Sequence, residues 1–237
     1  VKEVHYFDWE HHRGEDWYRS HFATAAPDQK AGEATPGYLW HPEAPARIAA
    51  LLPDVAMIAL LRHPTDRVYS HYWHARSWGA EVPEFDEVVD RALRGGSPWD
   101  HLIERGHYAE QLTRYQRALP QPVLVLLQEE LAADPAGSFR KICRHLGVTE
   151  QEVPGLGKVH NAAHTWRSPR LRKLMDRTDA WSRLPPPVAR WLHRANSKPV
   201  HYPPMTCETR ARLLEHYRPH NARLRQLLCR PLDGWDG

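Results

Sequence analysis

Val55-Ala56-Met57-Ile58-Ala59-Leu60-Leu61-Arg62-His63-Pro64-Thr65-Asp66-Arg67-Val68-Tyr69-Ser70-His71-Tyr72 is the stretch that decides the fold class. The apolar run 55–61 reads as a buried strand that ends at an arginine. Pro64 suits the first turn of a helix, where its missing N–H has no intrahelical partner to lose. A helix over 65–77 follows, with Ser70 on an early turn. A strand that turns directly into a helix brings a guanidinium fork and a hydroxyl towards the carboxyl edge of a sheet, where α/β proteins bind phosphates. The natural reading is an anion site.

Upstream of this stretch, aromatic and charged residues alternate without a clean period (Tyr6, Phe7, Trp9, Trp17, Tyr18, Phe22). They suggest a short strand, a loop and a helix around 14–23. Gly32 to Tyr38 is turn chemistry, and Pro45 to Leu52 reads as a short helix closed by Pro53. Downstream, residues 79–99 read as a surface excursion around a helical patch at 84–93. Tyr108, Leu112, Tyr115 and Leu119 recur at helical spacing and predict an amphipathic helix over about 105–119. Val123 to Leu127 is a second buried strand. The helix after it has Asp134 at its N-cap and Pro135 at N1, with Phe139, Ile142, Cys143 and Leu146 facing inward. Residues 147–204 read as irregular apart from a helix near 168–181. A last helix, about 206–228, presents Leu213, Leu214, Tyr217, Leu224, Leu227 and Leu228 on one side. Strand, helix, helix, strand, helix is the rhythm of a parallel sheet with crossover helices.

The chain has 237 residues, enough for one sizeable α/β domain, and a net charge of +3 with neutral histidines. That charge could attract an anionic ligand but does not resemble a nucleic-acid coat. Cys143, Cys207 and Cys229 form no CxxC pair and no zinc-type spacing, which argues against a disulfide scaffold. No apolar run approaches the roughly 20 residues that span a bilayer, and a reducing, cytoplasmic location is expected. The 17 histidines, His11-His12 included, lack a partnered spacing such as HExxH and read as a solvated surface, so no metal is expected.

Four blocks, in order and nearly end to end, carry a resemblance: KEVHYFDWE (2–10) with GEDWYRSHF (14–22); GEATPGYL (32–39); LLRHPTDRVYSHY (60–72); and Tyr108-Ala109-Glu110-Gln111-Leu112 through Glu130-Leu131-Ala132-Ala133-Asp134-Pro135 to His145-Leu146-Gly147-Val148. Tyr202-Pro203-Pro204-Met205 and His216-Tyr217-Arg218-Pro219-His220-Asn221 add a fifth. The chain resembles the sulfotransferases that use 3′-phosphoadenosine 5′-phosphosulfate (PAPS), closest to the heparan sulfate N- and 3-O-sulfotransferases and their bacterial relatives. The resemblance implies a P-loop NTPase-like three-layer α/β fold around a central parallel sheet, formed as a single domain over 1–237. It implies that Arg62 and Ser70 bind the 3′-phosphate, Trp166 the adenine and Lys198 a cofactor phosphate, although Pro199 and Val200 stand where many relatives have Gly and Arg. It makes Glu3 the general base, with His5 and Asp8 contacting the acceptor or orienting the base, and Glu33 either structural or acceptor-facing. Relatives often carry lysine at the position of Ala34.

The family's 5′-phosphosulfate loop, of the Lys-x-Gly-Thr-Thr type, would precede Lys2, and no GxxKxGT pattern occurs in these residues. Together with Val1 in place of methionine, this leads to the expectation of an amino-terminally incomplete enzyme whose first strand and loop lie upstream. The resemblance implies no metal, adenosine 3′,5′-bisphosphate as the nucleotide product, and a small-molecule, lipid or carbohydrate acceptor. A kinase on the same scaffold would need a Walker-type loop and magnesium-binding carboxylates. A non-catalytic nucleotide-binding module would bind the bisphosphate without transfer.

Overall fold

The computed structural model describes residues 3–77, 82–157, 164–166, 168, 175, 184–199 and 202–235. The helices are α1 (Glu15–Ser20), α2 (Gly37–Trp40), α3 (Ala44–Leu51), α4 (Pro64–Ser77), α5 (Phe85–Arg94), α6 (Asp100–Glu104), α7 (Tyr108–Ala118), α8 (Gln128–Ala133), α9 (Pro135–Leu146), α10 (Pro186–Asn196) and α11 (Cys207–Leu228). The strands are β1 (Ile58–Leu61), β2 (Leu124–Leu127), β3 (His164–Trp166) and β4 (Ser197–Pro199). The chain divides into two compact units, one of Val1–Pro64, Glu104–Gly157 and Leu214–Gly237, the other of Thr65–Ile103 and Lys158–Leu213.

In the first unit β1 and β2 pair in parallel, from Ile58 opposite Leu124 to Leu61 opposite Leu127. A parallel pair needs a crossover connection, and the α/β class expected from the sequence is the one observed. Leu61 and Leu127 point into a cluster with Tyr108, Leu112, Leu224, Leu232 and Trp235. Ile58 and Leu60 are exposed, so β1 is buried on one face and not on both. A second cluster collects Val4, Tyr6, Phe7, Tyr18, Tyr38, Ile48, Tyr115 and Leu119. It ties the opening segment to α2, α3 and α7. Asp134 caps α9 by accepting from the Gly137 amide at 2.8 Å, as the sequence predicts.

The opening segment forms turns in place of the expected short strand. The His5 carbonyl accepts from the Glu10 amide at 2.8 Å, closing the chain on itself before any ladder could form.

In the second unit, α5 buries Phe85, Val88, Val89 and Ala92, so the patch expected on a surface excursion is a packed amphipathic helix. The Phe85 ring meets those of Tyr69 and Tyr72 on α4 at 4.8 and 5.0 Å. Thr209 on α11 donates to Asp86 at 2.6 Å. β3 and β4 pair antiparallel. The triple proline 185–187, read as irregular, instead starts α10: the Pro185 carbonyl accepts from the amides of Val188 and Ala189, and proline is tolerated in a first turn. The helix expected near 168–181 lies almost wholly outside the described residues.

Candidate active site

Glu3, His5 and Asp8 converge within the first unit although they lie on no helix or strand. His5 Nδ1 is 3.0 and 3.2 Å from the two Asp8 carboxylate oxygens. His5 Nε2 is 3.3 Å from Glu3 Oε2. The His5 ring therefore stands between two acids, with one carboxylate at each ring nitrogen. The Asp8 side chain is 1% exposed and that of Glu3 34%. Asp8 Oδ1 also accepts from the Trp9 amide at 2.7 Å.

This arrangement needs an unusual backbone. His5 has φ = 57°, in the left-handed region, at a cost on the order of 1–3 kcal/mol that the surroundings must offset. The offset comes from the GEATPGYL block. Thr35 Oγ1 accepts from the amides of Val4 and His5 at 3.1 and 3.4 Å. Its hydroxyl proton goes to Glu33 Oε2 at 2.7 Å. Tyr38 donates to Glu33 Oε1 at 2.8 Å and accepts from the Tyr6 amide at 2.9 Å. Burial, with Glu33 adding to it, raises the Tyr18 and Tyr38 phenols above their ordinary range, so both stay neutral donors. From α3, Arg47 donates to the carbonyls of Phe7 and Asp8 at 3.1 and 2.9 Å.

Gly37 completes the cradle. A Cβ there would lie 2.3 Å from Asp8 Oδ2, so only glycine lets the start of α2 approach the buried carboxylate. Thr35, Gly37 and Arg47 are absent from the sequence-based set of site residues. The spacing of KEVHYFD gives no hint of them, because they act from segments far along the chain. On the open side, the exposed Trp9 ring stacks on His5, with centroids 4.6 Å apart and planes 12° from parallel.

Arg62 follows β1 directly in the first unit. Its carbonyl accepts from the Tyr108 hydroxyl at 2.9 Å, and the His63 amide donates to Glu129 at 3.2 Å. These bonds fix where the chain leaves the sheet. Ser70 lies half-buried on α4 in the second unit. There too, Trp166 ends β3 opposite Ser197, and Lys198 pairs with Thr165, so their backbones share a two-stranded sheet. The structure brings together Glu3, His5 and Asp8, and links Glu33 to them through Thr35.

A model of the sulfotransferase family matches residues 3–152. The chain is 30% identical to the mouse (Mus musculus) heparan sulfate glucosamine 3-O-sulfotransferase 3A1, over 99% of its own length and 57% of the relative. It is 31% identical to the human (Homo sapiens) bifunctional heparan sulfate N-deacetylase/N-sulfotransferase 2, over 99% of its length and 26% of that protein. It therefore spans less than two thirds of the length of these curated relatives. Among solved structures, a sulfotransferase from Alicyclobacillus acidocaldarius matches with a TM-score of 0.67 and 26% identity, over 95% of this chain and 75% of that one. These similarities do not favour the kinase reading or that of a non-catalytic module.

Proposed function

The chain belongs to the sulfotransferase family, and from that premise we propose that it moves a sulfuryl group from PAPS to a hydroxyl or amine, with Glu3 as general base. The observation that carries this reading is the Glu3–His5–Asp8 line. It presents one accessible carboxylate beside an imidazole ring that a buried carboxylate holds in place. PAPS supplies an activated sulfuryl whose bond to the bridging phosphate oxygen breaks as the acceptor's bond to sulfur forms, leaving adenosine 3′,5′-bisphosphate. A Glu3 oxygen takes the acceptor's proton, a role that contributes typically 10²–10⁴-fold. His5 keeps the Glu3 carboxylate turned, and Asp8 keeps His5 turned.

On the nucleotide side, Arg62, at the carboxyl edge of β1, is proposed for the 3′-phosphate because its guanidinium fork matches one, and Ser70 is proposed for the same phosphate from the family resemblance. Trp166 and Lys198 are proposed for the adenine and a phosphate. The relatives named for heparan sulfate, together with the exposed Trp9 ring beside His5, favour a sugar-bearing acceptor, because aromatic faces stack on apolar sugar faces while staying wet at the edge. The test uses the protein as natively encoded: sulfuryl transfer from radiolabelled PAPS to a panel of glycan and phenol acceptors, with bisphosphate binding measured in parallel. Arg62→Ala should abolish binding. Failure of the parent to bind the bisphosphate, or undiminished binding by Arg62→Ala, would overturn the reading.

A further inference from the structure

We infer that His107, His216 and His220 form a binding site for one divalent transition-metal ion of the zinc, nickel or copper class, apart from the Glu3 site. His216 and His220 stand at i and i+4 on α11 and so share one helix face. His107 immediately precedes α7 and comes to them from more than a hundred residues away in sequence. One ring nitrogen from each lies within 4.8 Å of the other two. This is the one such histidine group among the described residues.

The approach is built into the packing. Gly106 lies so close to Tyr217 that a Cβ would fall 2.7 Å from its ring, and glycine thus lets the chain at His107 reach α11. His107 Nε2 and His216 Nε2 are 3.0 Å apart. Two nitrogens on a tetrahedral ion at about 2.0–2.1 Å stand about 3.3 Å from each other, so this pair needs an adjustment of only a few tenths of an ångström.

His220 brings the partner a metal ligand usually has. Its Nδ1 is 3.1 Å from Glu110 Oε1, and a carboxylate on one ring nitrogen fixes the tautomer that leaves the other free to ligate. Arg223 also donates to that Glu110 oxygen, at 2.9 Å, holding the carboxylate in position. The His220 ring is stacked on His107 at 3.7 Å, and must rotate out of the stack for its Nε2 to join the other two. Imidazole donors without thiolate suit zinc, nickel and copper(II) over magnesium or calcium. Three protein ligands leave a fourth position for water. Because the ligands come from two distant segments, bound metal would pin the start of α7 to α11 and stabilise the first unit.

The test is titration of untagged, chelator-stripped protein with Zn²⁺ by calorimetry, with Co²⁺ absorption as a spectroscopic check. One equivalent should bind and raise the unfolding midpoint. The double variant His216→Gln/His220→Gln should bind at least 100-fold more weakly, while His11→Gln/His12→Gln, on an exposed pair, should bind as the parent does. Should the helix variant fail to fold, His107→Gln on the other segment gives the same readout. Glu110→Gln, which keeps all three ligands, should weaken binding on the order of 10-fold. The inference is overturned if the parent takes up no stoichiometric metal, if its binding survives loss of these histidines, or if the His11/His12 variant loses it equally.

Discussion

Gly37→Ala tests the cradle without altering a charge. The new Cβ would lie 2.3 Å from Asp8 Oδ2, against ordinary contact from 3.4 Å, so the carboxylate must retreat by about 1 Å. Its bond to His5 Nδ1, now 3.0 Å, would stretch to about 4 Å and cease to be a hydrogen bond. Losing a hydrogen bond to a charged group costs about 1.5–3 kcal/mol. Alanine in place of glycine in a helix offsets up to about 1 kcal/mol. The net expectation is about 0.5–2 kcal/mol of lost stability, or a fall of a few degrees in unfolding midpoint for a chain of this size. Activity should suffer more, because a 1 Å misplacement of a positioning group can cost about 10²-fold. The measurements are thermal unfolding, the rate of sulfuryl transfer, and bisphosphate binding as a control that should not change. A Gly37→Ala protein at least as stable as the parent, with transfer within about threefold of it, would refute the argued link between α2, Asp8 and His5.

Glu3→Gln should lower kcat by roughly 10²–10⁴-fold with bisphosphate affinity and unfolding midpoint unchanged; transfer within tenfold of the parent would place the base elsewhere. Glu33→Gln should cost about 1–3 kcal/mol in urea unfolding, because an amide cannot accept from both Thr35 and Tyr38 through its two ends; an unchanged midpoint would count against its holding role. Arg62→Lys should weaken bisphosphate binding by roughly 10- to 150-fold, since lysine keeps the charge but loses the fork; equal affinity would mean the contact is not bidentate. Asp134→Ala should cost about 1 kcal/mol of stability through the lost N-cap and leave transfer intact.

What was legible in the sequence is what local physics decides. The apolar run of β1, the Pro64 helix start, the Asp134–Pro135 cap and the Leu213–Tyr217–Leu224 stripe of α11 each depend on residues within a turn or two. The opening segment was misread because its conformation is imposed from afar, by Thr35 and Tyr38 bonding the backbone at Val4, His5 and Tyr6. The helix α10 was hidden for the opposite reason: three successive prolines look like a breaker, yet they occupy the one place in a helix where missing N–H groups cost nothing. The Glu3, His5 and Asp8 triplet was visible as a motif. Its support was not, since a threonine, a glycine and a tyrosine in GEATPGY carry the signature of an ordinary turn. The histidine cluster was invisible for the same reason, because its third member enters only when the chain at Gly106 packs on Tyr217.

Three carboxylates meet around His5, and their surroundings assign them different work. Glu33 has both oxygens committed to neutral hydroxyls within the fold, so a proton delivered there would displace a bond that holds the backbone. Asp8 is shut off from solvent, accepts from the Trp9 amide and lies against the His5 ring; an acceptor molecule could not reach it without unpacking α2. Glu3 alone of the three combines access with an orienting partner. Proton transfer requires a carboxylate within hydrogen-bond reach of the attacking group, and Glu3 is the one of these acids proposed for that role. The left-handed backbone at His5 fits the same geometry: with the chain turned sharply between Val4 and Tyr6, one ring nitrogen meets the buried Asp8 and the other the more exposed Glu3.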